Sequence, residues 1–236
     1  MPLPLRRPAG PSPSRRLAHA PATTYLVYNQ VPSREAIRRK VLEFSAALAA
    51  AAAAGAAGGL TEAEAAEGGP LDGLLDRVAG GVAPQADLAP PLAVLSKLLS
   101  WPPAQLFPAL DLARLLVLDA AASERLAAAA GPLSTEGPPG SLGRALAWAC
   151  EPPLLPANQQ TAVRLACNAF VHQPLRGWAL AQGAAVLELF SGFAAAPGRA
   201  VQQGVATLLL NYAIALPPGS SQQLTGRVRA LQPWGL

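Results

Sequence analysis

From Leu92 onward, apolar residues return every three or four positions along the chain. Leu92, Leu95, Leu98 and Leu99 make one stripe, and Leu106, Leu110, Ala113, Leu116 and Val117 make another at i, i+4, i+7, i+10 and i+11. This period belongs to a helix with one face buried between neighbours. The same rhythm occurs earlier, where Pro32 and Ser33 open a helix carrying Ile37, Val41, Phe44 and Leu48. Shorter amphipathic stretches follow at "PLDGLLDRVAGGV", "SLGRALAWAC", "NQQTAVRLACNAFVH", "GWALAQGAAVLELFSGFA" and "RAVQQGVATLLLNYAIAL". Prolines punctuate them. Pro90 and Pro91 open a helix where a missing backbone donor costs least, Pro102 and Pro103 break one after Trp101, and Pro152 stops another. Residues 49–69, rich in alanine, glycine and glutamate, read as an expanded loop or a frayed helix end. Tyr25, Val27 and their neighbours read as a short extended segment, and no alternating pattern of useful length follows Tyr28. The pattern predicts an all-α fold.

Two of these helices resemble each other. Superposing Asn168 in "TAVRLACNAFV" on Asn211 in "GVATLLLNYAI" aligns small, leucine and leucine-or-cysteine positions at a spacing of 43 residues. Armadillo and HEAT units repeat at roughly 40–47 residues. Placing Arg114 of "ALDLARLLVLD" over Arg164 brings a third helix into a similar frame at a spacing of 50, the loop of residues 131–140 absorbing the excess. The expected architecture is an armadillo/HEAT-like helical repeat array, each unit burying its apolar face against the next and the inner helices lining one concave surface. Asparagine is a poor helix former, so Asn168 and Asn211 inside apolar helices need a reason. Each amide either ties down a neighbouring loop or pairs, through its N–H and its C=O, with the backbone of an extended peptide. Arg114 and Arg164 pose a similar choice. Arg114 has an acid within reach at Asp111, and either guanidinium can instead point its fork into a groove to hold a carboxylate or phosphate.

Composition refines this picture. The 236 residues are 51% apolar, largely alanine and leucine, and 14% charged, with 25 prolines and 21 glycines. The net charge of +4 is unevenly distributed. Arg6, Arg7, Arg15, Arg16, Arg34, Arg38, Arg39 and Lys40 stand against Glu35 in the first forty positions, and five arginines stand against Glu188 from Pro152 onward. Both regions would attract an acidic partner. Arg38, Arg39 and Lys40 face away from their helix's apolar stripe and read as a solvated face. Residues 1–22 read as a disordered, basic, Pro/Arg-rich linker, because their prolines spoil the amphipathic helix of a transit peptide. No stretch is long and apolar enough to read as a transmembrane helix.

Little in the chain looks like catalysis. Cys150 and Cys167 form neither a disulfide framework nor a C-x-x-C pair and point to a reducing, intracellular setting. Cys167 and His172 lie five apart on one predicted helix and face different ways, Ser191 has no evident histidine partner, and His19 lies in the linker. The expectation is a non-enzymatic protein without metal, cofactor or small-molecule substrate, and without membrane attachment. The alternative to a peptide-binding adaptor is a helical scaffold for nucleic acid or another acidic partner, although aromatic stacking residues do not accompany the N-terminal charge.

Four segments in order, "TYLVYNQ" with "REAIRRKVLEFS", "WPPAQLFPALDLARLL", "NQQTAVRLACNAFVH" and "GVATLLLNYAIAL", resemble the PUL domain found at the C-terminus of phospholipase A-2-activating protein. The resemblance spans approximately residues 23–216 of a domain expected over 23–236. It implies an armadillo-like array that binds the acidic C-terminal tail of valosin-containing protein, a hexameric AAA ATPase of ubiquitin-dependent protein turnover, in the cytoplasm and nucleus. Carried over by motif, Arg114 in "DLARLL", Arg164 and Asn168 in "VRLACN" and Asn211 in "LLLNYA" are the groove candidates. Relatives accompany this domain with a WD40 propeller and a ubiquitin-binding segment, or with thioredoxin-like or peptidase domains, and the sequence carries no signature of these. The family continues with further helices where only "PPGSSQQLTGRVRALQPWGL" follows Leu216, so the array is expected to be shortened at its C-terminal side.

Overall fold

The computed structural model describes residues 24–52, 58–81, 86–196 and 198–216. The predicted linker of residues 1–22 and the stretch from Pro217 onward lie outside the described residues. In chain order the helices are α1 (Arg34–Ala52), α2 (Glu62–Ala65), α3 (Pro70–Val78), α4 (Ala89–Leu99), a 3₁₀ turn (Pro103–Gln105), α5 (Phe107–Leu116), α6 (Ala120–Ala128), α7 (Leu142–Ala149), α8 (Pro156–Asn168), α9 (Gln173–Ala181), α10 (Gly183–Ser191), a second 3₁₀ turn (Gly192–Ala195) and α11 (Arg199–Ala215). No β-strand occurs among the described residues. The all-helical repeat array read from the periodicity is the fold observed.

The predicted boundaries hold because their local chemistry is sound. Prolines sit in the first turn of α3, α4, α5, α8 and α9, where the absent N–H has no helical acceptor to serve. The Asp119 carboxylate accepts from the Ala122 N–H to cap α6, and the Ser141 hydroxyl accepts from the Arg144 N–H to cap α7. Within the alanine-rich stretch of residues 49–69, α1 continues to Ala52, and Thr61 and Glu64 form a reciprocal capping box on the short helix α2. The segment "GWALAQGAAVLELFSGFA" divides into α9, α10 and a 3₁₀ turn rather than one helix.

Helices α5, α8 and α11 pack side by side as an inner row, with α1, α3 and α4 against α5, α7 against α8 and α10 against α11. Leu95, Leu98, Leu106, Leu110, Ala113, Val117, Val163 and Phe170 are fully or almost fully buried at the centre of one continuous core. Trp101 is buried beside the double proline, so the break at Pro102 and Pro103 serves as a packed corner that leads the chain into α5.

The inner row is close-set at Gly204. A Cβ there would stand 2.4 Å from Val163 Cγ1, so only a residue without a side chain lets α11 approach α8 this closely. On the other side of the array, Asp72 is 4% exposed and binds α1 to α3. It accepts from Arg38 Nε at 2.8 Å and from the Gly68 N–H at 2.9 Å, with Arg34 Nη2 at 3.4 Å. Arg38 also donates to the Ala65 carbonyl, so it is a bridging residue and not part of a solvated face. Burial opposes ionisation of Asp72, but the hydrogen bonds from Arg38 and Gly68 and the two nearby guanidinium charges outweigh it and hold the carboxyl below the ordinary aspartate value.

Two outcomes are expected. Gly204→Val should cost about 1–3 kcal/mol through overpacking. In a urea-denaturation cycle with Val163→Ala, the pair should cost less than the two single changes summed, because the clash is shared. Asp72→Asn should cost about 1–3 kcal/mol near neutral pH. A depressed folded-state value stabilises fully above the unfolded value of about 4 and is lost as pH falls through the folded value. Urea midpoints followed into acid should therefore fall more steeply for the native protein than for the Asp72→Asn variant.

Candidate peptide-binding trough

The inner faces of α5, α8 and α11 form a trough, and the chain's own extended segment, residues 25–30, lies in it. Asn211 on α11 holds Leu26 at both backbone groups: its Oδ1 accepts from the Leu26 N–H at 2.9 Å and its Nδ2 donates to the Leu26 carbonyl at 2.9 Å. Asn168 on α8 treats Tyr28 identically, accepting from its N–H at 2.7 Å and donating to its carbonyl at 2.9 Å. Arg114 on α5 completes the row, with Nη1 donating to the Tyr28 carbonyl and Nη2 to the Gln30 carbonyl, each at 2.8 Å. Bonded residues alternate with unbonded ones, as an extended backbone requires, since successive peptide groups point to opposite sides. The segment runs antiparallel to the order of the helices, with Leu26 over α11, Tyr28 over α8 and Gln30 over α5.

Each ladder residue is also locked from behind. Asn168 Nδ2 donates to the Arg114 carbonyl at 2.6 Å, and Asn211 Nδ2 donates to the Cys167 carbonyl at 3.1 Å, stitching each inner helix to the preceding one. Arg114 Nε donates to Asp111 at 2.5 Å. Arg114 pairs with Asp111, as one reading had it, and its fork does enter the trough, but onto the Tyr28 and Gln30 carbonyls and not onto a carboxylate or phosphate. Asn168 and Asn211 are wholly inaccessible to solvent and Arg114 is 4% exposed. The structure also changes the internal alignment. Arg114 shares the ladder with Asn168, 54 residues on, and not with Arg164 as matching by residue type had it.

Arg164 sits one turn earlier on α8 and works differently. Its guanidinium carbon lies 5.1 Å from the centre of the Tyr28 ring. With the Gln160 amide turned to present its oxygen, Nη2 and Nη1 donate to it at 2.5 and 3.1 Å. Arg176, at the start of α9, takes the corresponding place over the Tyr25 ring at 5.3 Å and donates to Gln173 and to the Phe170 carbonyl. Neither arginine pairs with a carboxylate among the described residues. Tyr25 packs on Phe170, and the Tyr28 hydroxyl meets Thr207 Oγ1 at 3.1 Å. All four sequence candidates therefore lie along one trough. The reading of residues missed Arg176, and it missed that "TYLVYNQ" is the extended peptide that the asparagines hold; two tyrosines and two β-branched residues without glycine or proline, just ahead of a helix, were the available signal.

Cys167, His172 and Ser191 are each engaged in a contact of their own. Burial pushes the Cys167 thiol well up from its ordinary value, and its Sγ contacts the Gly204 carbonyl. His172 is bonded through Nε2 to the Leu118 carbonyl at 2.8 Å, and the Ser191 hydroxyl donates to the Glu188 carbonyl. No group of three or more residues suited to a metal ion occurs among the described residues, and no described helix is long and apolar enough to cross a membrane.

Asn168→Ala leaves the Arg114 carbonyl and the Tyr28 N–H unpaired and should cost about 1–3 kcal/mol. Residue-resolved amide exchange should show the Tyr28 N–H exchanging faster in that variant, and unchanged protection would contradict the ladder. Among curated proteins, no match was found. The PUL domain model, however, matches residues 20–232, with the ladder helices and the segment they hold inside the match, and the chain belongs to this family of helical protein-interaction domains.

Proposed function

We propose that this chain is a non-enzymatic adaptor domain that receives the acidic C-terminal tail of valosin-containing protein in ubiquitin-dependent protein turnover, in the cytoplasm and nucleus. The observation that carries the reading is the pair of arginines, Arg164 and Arg176, set over the trough segment without carboxylate partners among the described residues. A guanidinium on an aromatic face is held in place while unliganded, and its positive charge, here bonded only to neutral acceptors (the Gln160 and Gln173 amides and the Phe170 carbonyl), still favours an arriving carboxylate. The family supports a protein partner, and the excess of arginine after Pro152 supports an acidic one. Burial raises the Cys167 thiol well above its ordinary value, which disfavours the thiolate that a cysteine nucleophile would need.

In this reading the four groove candidates divide their work. Arg164, with Arg176, meets the acidic tail directly. Arg114, Asn168 and Asn211 act through the segment they hold, because their donors and acceptors are already engaged with Leu26, Tyr28 and Gln30.

The test is a fluorescence-anisotropy titration of the labelled tail peptide against the full chain. Binding should weaken steeply with salt, and Arg164→Glu should lower affinity at least about tenfold with helicity intact by circular dichroism. Unchanged affinity in that variant would refute the assignment. Equal or tighter binding of random single-stranded DNA would favour a nucleic-acid scaffold instead.

A further inference from the structure

The segment in the trough has a second edge. The backbone groups of Leu26, Tyr28 and Gln30 turn inward to the ladder, so those of Tyr25, Val27 and Asn29 turn outward, and they have no hydrogen-bond partner among the described residues. That edge is open along most of its length: Val27 is 39% and Val31 51% exposed, Asn29 is also exposed, and Tyr25 is half-buried. An extended backbone with one edge satisfied and the other bare is a template for one more strand. Residues 25–31, "YLVYNQV", contain no glycine or proline to blunt it.

We infer that an acidic peptide binds by adding as a strand to the outer edge of residues 25–29, with its carboxylates on Arg164 and Arg176, and that it does not displace the segment from the ladder. This rests on the acidic-tail reading above and supplies its mode of recognition. Three features select this occupant. The outward N–H and C=O groups of Tyr25, Val27 and Asn29 offer main-chain pairing that any extended peptide can meet. The two arginines lie over Tyr28 and Tyr25, one toward each end of the edge, and favour negative charge along its length. The one carboxylate bonded within the ladder, Asp111, is taken by Arg114 and so does not neutralise them.

The test uses the full chain and the same labelled tail peptide. Val27→Pro deletes one outward N–H and leaves the Leu26 and Tyr28 groups intact; it should weaken binding at least about tenfold, whereas Val27→Thr should bind as the native protein does. Residue-resolved amide exchange supplies a second measurement that needs no variant. On adding peptide, exchange at Tyr25, Val27 and Asn29 should slow, while Leu26 and Tyr28 stay protected. Faster exchange at Leu26 and Tyr28 would mean displacement and overturn the inference, as would native affinity in Val27→Pro. Dimerisation through this edge, seen by sedimentation and left unaffected by peptide, would also overturn it by assigning the edge to a second copy. The outcomes separate the two proposals. Peptide binding that is lost in Arg164→Glu but retained in Val27→Pro sinks the strand-addition mode alone, and no binding to the native chain sinks both.

Discussion

A primary amide carries an acceptor and a donor in one plane, and one residue of an extended strand presents an N–H and a C=O on the same side. The match of Asn168 to Tyr28 and of Asn211 to Leu26 is the interaction on which the trough depends. A buried amide is costly unless its groups are paired. Here both amides are fully buried, and each makes three hydrogen bonds, two to the segment and one to the preceding inner helix. The same side chain therefore closes the helix-to-helix seam and the helix-to-strand seam, and neither can open without exposing the groups of the other.

This arrangement changes how the array holds together. In a helical solenoid each unit contacts only its neighbours, so stability propagates step by step. Here an extended segment crosses α11, α8 and α5 in three consecutive backbone contacts, joining residues up to 185 positions apart in sequence. It then continues almost directly into α1, which packs on α3 and α5. The N-terminal segment acts as a tie across the inner row, supplementing a core in which many buried positions are small alanines. The close approach at Gly204 belongs to the same constraint, since α8 and α11 must lie near enough for Asn211 to reach the Cys167 carbonyl.

Much of this was legible in the sequence. The helices followed from apolar period and proline position, and the asparagines stood out because residues with competing hydrogen bonds are misplaced in an apolar helix unless they serve something across from it. Two things were hidden for physical reasons. The first is register: residue identity aligns Arg114 with Arg164, yet its structural counterpart is Asn168, one turn further along α8. What is shared in the ladder is reach to a backbone group, which a long guanidinium and a short amide achieve from different positions. The second is long-range pairing. Arg38 read as solvated because its partner Asp72 lies 34 residues away, and Tyr25 to Gln30 read as merely extended because their partners lie still further off. Periodicity reports which face of a helix is buried but not what lies across from it.

The location of positive charge follows from the seated segment. Arg164 rests on the Tyr28 ring and Arg176 on the Tyr25 ring, so both guanidinium groups use as shelves the side chains of residues that the ladder holds in place. Tyr25 is itself wedged on Phe170, which packs edge-on against Tyr212, and Tyr212 is anchored through its hydroxyl to the Ala179 carbonyl. Cation–aromatic contacts of this kind are each worth only about 0.5–2 kcal/mol, but they decide where a flexible arginine waits. Lifting the segment out of the trough would remove both shelves. A ligand that replaced the segment would thus dismantle the cationic arrangement that favours its binding, whereas one that settles on the segment's outer edge uses the arrangement intact.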